Sequence, residues 1–140
     1  MASVALVDAG PLIGAIDRKD RRHTISARFF DGFAGRLLTT WPVVTEPCHM
    51  ISDRSAVAFM RSIARGGIEV RDIPREALSG MADLMERYAD LPMDLADASL
   101  VWLADETGVR DIVTFDEGDF SVYRLSDGKR FNNVIAAQRR

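Results

Sequence analysis

The chain has few devices for covalent or nucleotide-based chemistry. Its single cysteine, Cys48, has no partner for an internal disulfide, so folding does not depend on an oxidising compartment. Cys48 reads as a small core residue. The longest apolar runs fall well short of a membrane span, and the basic start, apolar stretch and cleavage site of a signal peptide do not occur in that order. No glycine-rich phosphate loop appears, which leaves nucleotide cofactors without support. His23 and His49 lack the spacing of a zinc pair and read as surface or packing residues. Low-complexity stretches and internal repeats are missing too. Only Lys19 and Lys129 are lysines among 18 basic residues, which face 21 acidic ones. The net charge of −3 and pI near 5.4 argue against an extended nucleic-acid-binding surface. Arginine nevertheless offers a fixed fork that suits phosphate locally. The expectation is a cytoplasmic protein with no membrane association.

What is present suits one domain over residues 1–140 with a single core: 47% hydrophobic and 28% charged residues. Residues 4–7, 37–39, 68–70 and 111–114 are short apolar runs of the kind buried in a parallel sheet. Helical patterns fill the gaps, over residues 10–16, 23–33, 41–51, 56–64, 74–90 and 94–107. Pro11 suits a first turn, Thr40 a helix cap, and Gly66-Gly67 and Gly108 helix ends. Pro47 falls inside the helix over residues 41–51. Residues 17–22 form a polar link, and Met81 and Met85 read as core beside Leu78 and Leu84. Residues 122–125 and 131–135 read as two strands joined by a turn holding Asp127-Gly128. The alternation predicts an α/β domain with a mainly parallel sheet and an edge hairpin.

Four acidic residues stand out because each sits at an element end or turn within an apolar segment: Asp8, Glu46, Asp97 and Asp116. Open parallel sheets place ligands beyond the carboxyl ends of their strands, where Asp8 and Asp116 belong. Carboxylates gathered there repel one another unless a positive group sits between them. A divalent metal fills that role, and a carboxylate-bound metal points to phosphodiester chemistry. Each residue also has a plainer reading. Asp8 reads equally well as the N-cap of the helix opened by Gly10-Pro11. Asp94 and Asp97 share one helical turn, with Asp94 the cap and Asp97 the ligand, or both serving only the helix dipole. Asp119 is a further ligand, a water-positioning group or a turn residue. Glu46 is either a site residue or an exposed surface glutamate.

Four ordered segments carry a family resemblance: Val7-Asp8-Ala9-Gly10-Pro11-Leu12, Thr39-Thr40-Trp41-Pro42-Val43-Val44-Thr45-Glu46, Asp94-Leu95-Ala96-Asp97-Ala98-Ser99-Leu100 and Thr114-Phe115-Asp116-Glu117-Gly118-Asp119-Phe120. Over nearly its whole length the chain resembles PIN-domain ribonucleases, and among them the VapC-type toxins of bacterial toxin–antitoxin pairs. The resemblance implies a three-layer α/β/α domain whose acidic site binds magnesium or manganese and hydrolyses RNA. It places Asp8, Glu46, Asp97 and Asp116 at the family's acidic positions and Asp119 at a less uniform one. Asp8, Asp97 and Asp116 are then expected as ligands directly or through water, with Glu46 sharing ligation or orienting water. It also implies a homodimer and a cognate antitoxin, with residues 27–33 and 56–63 as docking surfaces. One departure is Gly10, where many relatives carry a polar side chain, leaving outer-shell work to water or Thr114.

Two other readings stand beside this one. One is an RNA-processing nuclease without a toxin role; the other is a silent PIN-like binding module whose carboxylates only cap helices. A silent module has no chemical need for all four acids.

Overall fold

Among the described residues of a computed structural model (3–139, with side chains through 136), five strands alternate with eight α-helices. The apolar run expected to be covered on both faces becomes β1 (Ser3–Val7), with Ala5, Leu6 and Val7 fully buried at the centre of the sheet. It pairs in parallel with β2 (Gly35–Thr40) on one side and β4 (Asp111–Val113) on the other. Outside these lie β3 (Glu69–Arg71) and β5 (Asn132–Asn133), also parallel, giving the order β3-β2-β1-β4-β5.

Helices α1 (Ala9–Ile16) and α2 (His23–Gly32) join β1 to β2; α3 (Trp41–Met50) and α4 (Asp53–Ala64) join β2 to β3. A 3₁₀ turn (Arg75–Ala77), α5 (Leu78–Arg87) and α6 (Leu95–Thr107) lead back across the sheet to β4. The right-handed rule for such crossovers puts these two groups of helices on opposite faces, the expected α/β/α arrangement. Strand order reverses between β1 and β4, so a crevice opens beyond their carboxyl ends. The core beneath it combines Leu6, Leu38 and Ile112 of the sheet with Phe29, Met81, Leu100 and Leu103 of the helices.

Local signals explain the helix limits. Asp8, Ser52 and Asp94 cap α1, α4 and α6 through their side chains, and Gly108 ends α6 at φ +74°. Thr40 precedes α3 without capping it; its hydroxyl instead shares a 2.6 Å hydrogen bond with Ser99, both fully buried. The helix expected over residues 74–90 begins as the 3₁₀ turn and ends at Arg87. Cys48 is partly buried against the core, and His23 Nδ1 lies 2.8 Å from the Gly14 carbonyl oxygen, both in packing roles.

The expected edge hairpin does not form. Gly128 turns the chain at φ +85°, but across that turn only Arg124 and Arg130 pair, as one antiparallel bridge. Of the two expected strands, the first does not form and gives Val122 to α7 (Glu117–Val122), while the second holds only β5 before α8 (Val134–Arg139) begins. The segment expected as the second hairpin strand pairs in parallel with β4 instead, as β5, and Tyr123 and Ile135 are both completely enclosed. Parallel pairing also lets the Asn133 side chain accept from the Thr114 amide at 3.4 Å and donate to its carbonyl at 2.9 Å.

Candidate metal centre

Asp8 emerges where β1 stops, and both its readings hold together. One carboxylate oxygen, Oδ1, accepts the Ala9 amide at 2.8 Å and so caps α1. The other, Oδ2, accepts the Thr114 hydroxyl at 2.7 Å. That hydroxyl in turn accepts the Asp116 amide at 2.9 Å, so one fully buried threonine ties the acid after β1 to the one after β4.

Asp94 takes the capping role expected of it. Asp94 accepts the Asp97 amide at 2.8 Å and caps α6, leaving the Asp97 carboxylate to face the crevice. Its Oδ2 accepts the hydroxyl of Tyr123 at 3.0 Å. Asp116 caps α7 by accepting the Asp119 amide at 3.3 Å. Oxygens of Asp97, Asp116 and Asp119 then all lie within 4.8 Å of one another. Glu46 is exposed on α3 and lines the same cleft of about 450 Å³, together with Asp8, Asp94, Asp97, Asp116 and Asp119. The fold thus brings together every acid singled out in the sequence, with Glu46 at an exposed rim rather than buried.

The electrostatics are those of crowded carboxylates short of counter-charge. Burial first, then repulsion from Asp116 and Glu46, pushes Asp8 up to about 6 against the hydrogen bonds from Thr114 and Ala9. Burial and repulsion from Asp94, Asp8 and Asp116 push Asp97 up to about 7, opposed by the Tyr123 bond. Asp119 is raised as well, by partial burial and then by its hydrogen bond with, and repulsion from, Asp116. Among the described residues no arginine or lysine forms an ion pair with any of these acids. A donor set made only of carboxylate oxygens suits a hard divalent cation such as magnesium or manganese.

Tyr123 lies in the segment over residues 122–125 that reads from the sequence as a strand, and no motif there marks it for the site. A phenol enclosed in an apolar run needs a hydrogen-bond partner, and that was the available signal. It does not name Asp97, which is 26 residues away. Asn133 was likewise missed, since its bonds to Thr114 exist only once β5 pairs with β4.

No family model matches the chain. Ribonuclease VapC26 of Mycobacterium tuberculosis is 28% identical over 133 residues, covering 92% of this chain and 98% of that protein. Among solved structures, Mycobacterium tuberculosis VapC20, described as a sarcin-ricin loop cleaving toxin, superposes with a TM-score of 0.75. That match has 17% identity and covers 83% of this chain and 92% of VapC20, so it speaks for the fold. The likeness to VapC-type PIN-domain ribonucleases read from the four motifs is therefore present over nearly the whole chain.

Proposed function

We propose that this chain is a divalent-metal-dependent endoribonuclease acting as the toxin of a toxin–antitoxin pair, through one PIN-like domain over residues 1–140. The observation that carries the reading is the convergence of Asp97, Asp116 and Asp119 within 4.8 Å, beside the pinned carboxylate of Asp8, at the switch point of the sheet. The names of VapC26, a ribonuclease, and VapC20, a toxin that cleaves the sarcin-ricin loop, support RNA as the substrate.

In this reading Asp8, Asp97, Asp116 and Asp119 hold magnesium or manganese. Such an ion would supply Lewis-acid stabilisation of the negative charge that builds on the phosphoryl oxygens as an RNA linkage is hydrolysed. The protein's own groups prepare the site for it. Thr114 sets the spacing between Asp8 and Asp116, and Tyr123 fixes the orientation of Asp97. Glu46, exposed at the rim, orients the attacking water and exchanges its proton with solvent. Protons on Asp8 and Asp97 compete with the cation, so occupancy and activity rise with pH through about 6 to 7.

The reading includes a homodimer in the cytoplasm, silenced by a cognate antitoxin. Among the described residues no helix is long and apolar enough to cross a membrane. Val57 and Met60 on α4 stay exposed and offer the antitoxin an apolar face.

The test is cleavage of total cellular RNA by the purified protein with magnesium or manganese, beside EDTA and Asp97→Asn controls. Cutting that both controls abolish supports the proposal. No cutting and no metal binding by folded protein would leave the silent binding module.

A further inference from the structure

Arg22 ends the polar stretch over residues 17–22 that reads from the sequence as a link, yet it lines the carboxylate cleft. Among the described residues it is the single basic side chain doing so. An arginine beside so many acids would ordinarily pair with one of them. This one forms no ion pair among the described residues; its guanidinium carbon lies 4.5 Å from the centroid of the Phe115 ring. Phe115 stands between Thr114 and Asp116, so the loop that sets the acids also seats the cation.

The seat depends on Gly10. A Cβ at that position would stand 3.3 Å from Cδ2 of Phe115, tighter than ordinary contact. The backbone of Arg22 is fixed as well: its amide donates to Asp20 at 2.8 Å and its carbonyl accepts the Ser26 amide at 3.0 Å. The result is a guanidinium held by an aromatic face, with its N–H donors committed to none of the carboxylates.

We propose that Arg22 binds a phosphate of the RNA strand next to the scissile linkage and so aligns the strand across the acids. The inference rests on the ribonuclease reading above. A polyanion entering this cleft meets six carboxylates, and a bound cation offsets them only at the scissile phosphate. The flanking phosphate needs a positive partner of its own, and among the described residues lining this cleft Arg22 is the one that offers it. A guanidinium stacked on a ring presents the planar fork that matches phosphate oxygens.

The test measures binding of a short labelled single-stranded RNA of mixed sequence, with magnesium, in the non-cutting Asp97→Asn background. Arg22→Gln is expected to weaken Kd about tenfold, the loss of one charged hydrogen-bonding contact. It should also reduce the steepness of log Kd against log salt by about 0.7, one phosphate contact on a single strand. Arg22→Lys should restore the salt slope and part of the affinity. In cutting protein, Arg22→Gln should raise KM with kcat nearly unchanged. Wild-type affinity and salt slope in a folded Arg22→Gln protein would overturn the proposal, as would a fall in kcat with KM and slope intact. If the glutamine variant does not fold, the lysine variant decides: intermediate affinity supports the fork, wild-type affinity overturns it. Wild-type protein that neither cuts nor binds RNA sinks the ribonuclease reading itself; wild-type cutting with an unchanged Arg22→Gln KM sinks the arginine's role alone.

Discussion

Tyr123 donates its hydroxyl to Oδ2 of Asp97 across 3.0 Å, from a ring completely enclosed between Tyr88 and Phe120. The two aromatic neighbours meet it edge-on at 5.1 Å, so the phenol has little freedom to follow a moving carboxylate. Burial and the adjacent Asp97 also raise the ionisation of Tyr123 far above its usual range, which keeps it a donor at any working pH. Tyr123→Phe preserves the packing and removes only the donor. Because that bond holds the ionisation of Asp97 down, its loss should move the rising limb of the kcat–pH profile upward. Turnover with magnesium should also fall, by about tenfold or more, as for other groups that orient a ligand. An unmoved pH profile would mean that Tyr123 only fills space.

Metal-free stability should carry the signature of crowded acids. Asp8 at about 6 and Asp97 at about 7 hold protons more tightly in the folded chain than at the ordinary value of 3.8. Protonation therefore favours the folded state, fully below about pH 4, and that advantage is lost as pH rises through about 6 and 7. Asp97→Asn cannot ionise there, yet its side-chain oxygen still accepts from Tyr123. In EDTA, the variant and wild type should melt together near pH 4. By about pH 8 the variant should be the more stable by roughly 1–2 kcal/mol, a figure discounted for the partial exposure of Asp97. Magnesium should raise the wild-type Tm and close the gap. Melting curves whose separation ignores pH would count against repulsion within the cleft. Asp8→Asn is a poorer probe, because both Asp8 oxygens accept hydrogen bonds and an amide satisfies only one of those donors.

Thr114 is the other link between acids. Its hydroxyl donates to Asp8 and accepts from the Asp116 amide, so Thr114→Val keeps the shape and cuts both ties. A buried Asp8 oxygen and the Asp116 amide then lose their partner. The expected cost is about 1–3 kcal/mol in stability. Magnesium affinity should fall about tenfold or more, read from the concentration needed for half-maximal cleavage. Near-native affinity would show that Asp8 and Asp116 are held in place by their helices alone.

The acids were legible in the sequence because their placement follows from local rules. Asp8 directly follows an apolar strand, and Asp94 precedes a helical pattern three residues before Asp97, so strand ends and caps locate them without knowledge of the packing. The central strands were legible for the same reason. The residues that organise the acids were not. Tyr123 reaches Asp97 from 26 positions away, and Arg22 meets Phe115 across most of the chain, contacts that only the assembled fold creates. The hairpin failed on similar grounds: a turn with strong Asp-Gly chemistry survived at Gly128 with a single bridge, but residues 132–133 pair in parallel with β4 rather than back across the turn. Gly10 was noted as a missing polar group, while its use is steric, clearing room for Phe115.

The seam between α1 and α2 offers a test remote from the acids but tied to Arg22. Ser26 is fully buried there, and its hydroxyl has no hydrogen-bond partner among the described residues. Gly14 lies against it so closely that a Cβ at Gly14 would collide with Ser26 Oγ. Ser26→Ala removes an unsatisfied hydroxyl and should stabilise the protein by about 1 kcal/mol. Gly14→Ala alone forces the helices apart and should cost about 1–3 kcal/mol. Combining them removes the colliding oxygen but leaves the added methyl 3.1 Å from the Cβ at position 26 and 3.3 Å from the Arg22 carbonyl oxygen. Rescue should therefore be partial, with the two changes coupled rather than additive in a denaturant-unfolding cycle. The residual strain falls on the backbone that carries Arg22, so the double variant should regain stability before it regains RNA affinity. Simple additivity would show that the seam relaxes freely, and an Arg22 held on so loose a seam would not be placed firmly enough to align a strand.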